Sequence, residues 1–131
     1  MTTLPHSFKR IRLNLARSKE HPLGSEQYGY EFVAPLTADG HIDVEQWRKH
    51  REHCRVRRFW GDEEEVGRVV HKPGGPEHAR WVFDYDDTAE DDDEAGYRFG
   101  SHAFAPGEYV SIRDEDGAMH TFQVATVEPA T

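Results

Sequence analysis

A chain of 131 residues with 36% hydrophobic and 11% aromatic content can bury one core without cross-links, and that ring content excludes a disordered polymer. One cysteine excludes an internal disulfide framework, and no apolar run reaches the roughly 18 residues of a helical membrane span. The net charge of −9 is unevenly distributed: residues 84–94, "DYDDTAEDDDE", hold eight of the 25 acids and no base, and elsewhere 16 bases meet 17 acids.

The N-terminal residues mix hydrophobes with Arg and Lys and contain no apolar leader core, so a cytoplasmic protein is expected. In "FKRIRLNL" (8–15), Ile11, Leu13 and Leu15 alternate with Arg10, Arg12 and Asn14, the period of a half-buried strand. "YGYEFV" (28–33) puts Tyr28, Tyr30 and Phe32 on one face of a second strand. "TADGHID" is a turn, with Asp43 placed to cap a helix over 44–54. On that helix Val44, Trp47, the aliphatic stem of Arg51 and Cys54 share one stripe, which predicts that Trp47 and Cys54 are buried.

Period-two runs follow at 55–60, 65–71, 80–85 and 97–104. The chain ends in "EYVSIR" (108–113) and "MHTFQVATV" (119–127), joined by the hairpin loop "DEDGA". About seven or eight short strands, one helix and no alternation of strand and helix predict a mostly β, β-rich α+β fold. Its expected form is a curved antiparallel sheet or small barrel with the helix packed on it. One domain is expected over 1–131, with a mobile acidic loop at 86–94, because seven acids in nine residues repel one another and bury little.

"HREHC" (50–54) is the first stretch that suggests chemistry. His50, His53 and Cys54 have helical spacings of three and four, so a thiolate and two imidazoles could converge on Zn²⁺, with His41 or His71 as a fourth ligand. The opposing reading is a helix end, with Cys54 turned into the core and the histidines favoured by the helix dipole. The spacing matches neither H-E-x-x-H nor a C-x-x-C knuckle, so no cofactor is expected and zinc is the alternative.

No catalytic constellation emerges. Ser101 and His102 are strand neighbours that face opposite ways, "HKPGGPEH" (71–78) lacks the Walker pattern, and 84–94 lacks the glycine and terminal glutamate of a calcium loop. The bases are clustered: 11 of the 16 lie in two groups, Lys9 to Lys19 and Arg48 to Arg58. Arg10 and Arg12 on one strand, with Arg57, Arg58 and Trp60 on another, predict a basic and aromatic surface for nucleic acid or a protein partner. The expected function is therefore binding, with a metal-dependent activity at His50, His53 and Cys54 as the alternative.

Taken together, "GYEFVAPL", "HIDVEQWRKHREHCRVRRFW", "VVHKPGG", "FDYD", "GYRFGSHAF", "GEYVSIRDEDG" and "HTFQV" resemble a family of short bacterial proteins of unknown function. The resemblance covers most of the chain and implies a complete one-domain protein. It brings no activity, ligand or site residue with it.

Overall fold

A computed structural model describes residues 7–18, 21–72, 80–84, 94–97, 103–113 and 118–130. All but one of the period-two runs become strands, and the described strands are β1 (Phe8–Leu15), β2 (Ser25–Pro35), β3 (Arg55–Trp60), β4 (Glu63–Lys72), β5 (Arg80–Asp84), β6 (Glu94–Tyr97), β7 (Tyr109–Arg113) and β8 (Met119–Pro129). Every strand pairs antiparallel with the next, and β1 pairs with β8, so the eight described strands close into an up-and-down barrel.

The alternation decides which residues face inward. Ile11, Leu13 and Leu15 of β1 are buried, as are Tyr30 and Phe32 of β2, Val110 and Ile112 of β7, and Phe122 and Val124 of β8. In a barrel of eight strands the interior is just wide enough to be filled by side chains. Here aromatic rings fill it: Tyr30 lies 5.0 Å from Phe83 and 5.1 Å from Phe122, and Phe32 lies 5.3 Å from Phe83. Such ring pairs contribute about 0.5–1.5 kcal/mol each beyond the area they bury.

Register shifts between Arg12 and Leu13 (against β8) and between Asn14 and Leu15 (against β2) leave extra residues on β8 and β2, which curve the wall on both sides of β1. Next to the second shift the backbones come so close that a Cβ on Gly29 would lie 1.9 Å from the Leu13 carbonyl oxygen. Gly29→Ala should therefore cost well above the usual ~1 kcal/mol of a strained substitution, read as a lowered denaturation midpoint with an unchanged slope.

Helix α1 (Val44–His50) lies in the long connection from β2 to β3. The Asp43 carboxylate accepts the Gln46 amide at 3.2 Å, Glu45 sits in the first turn, and Arg48, Lys49 and His50 sit in the last, as the helix dipole favours. Its inward residue is Trp47, 6% exposed, whose indole donates to the Val69 carbonyl at 2.8 Å and meets Trp81 edge-to-face at 5.4 Å. Through Trp47 the helix thus packs against β4 and β5 at one end of the barrel.

Three expectations need correction. The α-helix stops at His50 and continues as a 3₁₀ turn over Arg51–His53, so Arg51 is exposed and not part of the buried stripe. The cause is the next strand: the Cys54 carbonyl accepts the Val69 amide at 2.9 Å, which requires the chain to leave the helix before Cys54. Glu94, assigned to the acidic loop, opens β6 instead; of the strand expected at 97–104, Tyr97 ends β6, Ala103 and Phe104 are in no strand, and 98–102 lie outside the described residues. The remainder of that loop, residues 114–117 of the "DEDGA" turn, and Ser101 with His102 lie outside the described residues.

Because Trp47 combines burial with a buried hydrogen bond, Trp47→Ala should cost about 3–5 kcal/mol. Equilibrium unfolding in urea measures the loss directly.

Candidate binding site at the barrel mouth

Among the described residues, the end opposite α1 carries the β3–β4 hairpin, the last residues of β1 and the first residues of β2 and β8. Gly61, at φ 64, permits the two-residue reversal between Trp60 and Glu63. This tight turn fixes which side chains of β3 and β4 meet at the mouth. On β3 the inward positions are Val56, Arg58 and Trp60, opposite Phe32, Tyr30 and Tyr28 of β2. On the other side Arg58 faces Glu65 and Trp60 faces Glu63 of β4.

Trp60 is the hub of this end. Its ring meets Tyr28 at 4.8 Å, His120 at 5.6 Å and Phe122 at 6.5 Å, and His21 extends the series at 5.1 Å from Tyr28. The Arg58 guanidinium carbon lies 4.6 Å from the centre of the Trp60 ring system, a cation–π arrangement, and the Arg58 Nε is buried. Tyr28, Trp60 and His120 are each half-buried, whereas Asp62, Glu63, Glu64 and Glu65 of the hairpin are exposed. Aromatic faces and carboxylates therefore share one rim.

The basic residues expected to form one surface are divided by the barrel wall. Arg57 and Arg58 are consecutive on β3 and so point to opposite sides. Outside, Arg12 and Arg57 flank the Phe59 ring at 4.5 and 5.2 Å, over the space that Gly29 leaves open. Arg12 also donates to the Asn14 side chain and the Glu26 carbonyl, both at 3.1 Å, and pairs with Glu31 at 3.9 Å. Arg57 pairs with Glu64 at 3.3 Å. Arg10 is exposed on the same outer face. Of the five residues expected to bind, only Arg58 and Trp60 come together at the mouth.

"HREHC" resolves into separate environments. His50 packs edge-to-face on Phe8 at 5.4 Å, its ring is 6.5 Å from that of His53, and His53 lies 3.7 Å from Glu52. Cys54 is fully buried, with its thiol 3.7 Å from the His50 carbonyl. Among the described residues no three His, Cys, Asp or Glu side chains are grouped to hold a metal ion. Burial, with a smaller contribution from Glu52, pushes the Cys54 thiol up to about 12.

At the α1 end His71 packs 4.7 Å from Trp81 and 6.1 Å from Trp47. Burial first, and Arg48 second, hold its pKa below the ordinary histidine value.

Sequence reasoning missed His21, His120, Glu63 and Glu65 as parts of one site. The alternation in "MHTFQV" does place His120 on the face of Phe122 and Val124, but only the cross-strand register brings it to Trp60. No described helix is long and apolar enough to cross a membrane. Compared with known proteins, the chain matches no family model, no curated protein and no solved structure.

Cys54 should react with a thiol reagent only as fast as the protein opens, because the native thiol is inaccessible and un-ionised. Its raised pKa also has a consequence for stability. Between its ordinary value of 9.0 and about 12, the unfolded chain loses the thiol proton and the native state keeps it. Stability should fall across that window, and Cys54→Ala should remove that part of the fall.

For His71 the sign is reversed. Its native pKa is depressed, so below the ordinary value of 6.5 the unfolded chain binds the proton first, and stability falls on acidification. Urea denaturation from pH 7 to 5 should show a shallower acid-side loss for His71→Phe than for the parent.

Proposed function

We propose that this protein is a small binding module that engages a protein partner through the mouth of its barrel, at a basic segment of that partner. The observation that carries the reading is the rim. Trp60 and Tyr28 are half-buried rings at the opening, with three exposed carboxylates, Asp62, Glu63 and Glu65, on the same hairpin. Ring faces attract Arg and Lys side chains, adjacent carboxylates pair with them, and the net charge of −9 steers a cationic segment toward the protein. Aromatic residues surrounded by polar groups are also the usual anchors of protein interfaces.

The same arrangement disfavours a polyanion. A phosphate at Arg12 or Arg57 would have to displace Glu31 or Glu64, and one at Arg58 would approach past the acidic hairpin. Nucleic acid is therefore the competing ligand in the test.

Trp47 and Trp81 are buried, so of the three tryptophans only Trp60 is open to a ligand at the mouth. Titration with a Lys/Arg-rich peptide should change the fluorescence of the parent, with affinity falling as salt is added. The response should be lost in Trp60→Leu. A single-stranded oligonucleotide binding more tightly than the peptide would overturn the reading.

A further inference from the structure

We infer that Arg58 is an internal occupant of the binding site, holding the place on the Trp60 ring that a basic side chain of the partner takes when it binds. The inference rests on the proposed engagement of a basic segment and names the subsite and its competitor.

Three features of β3 lead to it. Arg58 and Trp60 are two residues apart on a strand, so both face inward, and the guanidinium lies 4.6 Å from the indole centre. The cross-strand partners of this pair on β4 are Glu65 and Glu63, so the strand beside the seated cation carries two exposed carboxylates. Among the described residues, the rings that meet Trp60 are those of Tyr28, His120 and Phe122. A planar cation is thus already accommodated by the Trp60 ring on a wall whose next strand carries two acids, and the same ring would hold an arginine from another chain. The two cannot share one ring face. Binding therefore requires Arg58 to swing away, and its departure lowers the observed affinity.

The probe is a short Gly/Ser peptide carrying a single arginine, followed by Trp60 fluorescence and by NMR. Arg58→Gln removes the internal competitor. Arg113→Gln makes the same charge change on the outward face of β7, where Arg113 is exposed. A cation–π contact at a partly exposed site sets the size of the effect, so Arg58→Gln should bind the peptide about fivefold more tightly than the parent. Arg113→Gln should match the parent. In the parent itself, the Arg58 Nε–H signal should shift and exchange faster with solvent as peptide is added.

Equal gains in both variants would assign the effect to net charge and overturn the inference. So would unchanged or weaker binding by Arg58→Gln, and in either case the basic-segment reading would stand. Should Arg58→Gln fail to fold, the NMR experiment decides alone: an Arg58 signal unmoved at saturation overturns the inference. Absence of peptide binding by every form overturns both readings.

Discussion

The hydrogen-bonded seam between β1 and β8, which joins Lys9–Leu15 to Phe122–Pro129, gives every other feature of the barrel its position. Without it the strands would form an open sheet with two exposed edges and one buried face. With it, the single inward face closes on itself and each alternating strand acquires an inside and an outside. The register shift between Arg12 and Leu13 lies at this seam, where the extra residue, Ala125, is on β8; the shift between Asn14 and Leu15 lies on the other side of β1, against β2.

Closure gives adjacent residues unrelated environments. Arg57 stacks outside on Phe59 and pairs with Glu64, while Arg58, one residue on, lies inside against Trp60. Phe59 is buried although it is on the outer side, because Gly29 provides a flat seat and two arginine side chains cover the ring. Charged side chains here act largely through their planar and aliphatic parts, as lids over rings. The basic character of β3 is consequently spent in two separate places.

The two ends of the barrel differ for a related reason. One carries the long β2–β3 connection, whose helix inserts Trp47 toward Trp81 and His71 and supplies the Val69 carbonyl with an indole donor. At the other, the reversal at Gly61–Asp62 is only two residues long, and Trp60, Tyr28 and His120 are half-buried. One end contributes stability, and the other leaves rings and carboxylates within reach of a partner.

Alternation in the sequence was sufficient to give the strand periods, the inward choice of Ile11, Leu13, Tyr30 and Phe32, the Asp43 cap, and the burial of Trp47 and Cys54. These follow from local rules: side chains alternate along a strand, and an amphipathic turn presents one stripe. The end of the helix did not follow, because it is set by the Cys54–Val69 hydrogen bond to a strand that comes later in the chain. Nor did the site. Tyr28, Trp60, Glu63 and His120 lie on β2, β3, β4 and β8, and periodicity says which face each takes but not its height along the barrel. That height is fixed by register, and register depends on bulges, turn lengths and closure acting together. For the same reason the bases that cluster in sequence separate in space, and only the closed barrel decided that Arg58 meets Trp60 and Arg57 does not.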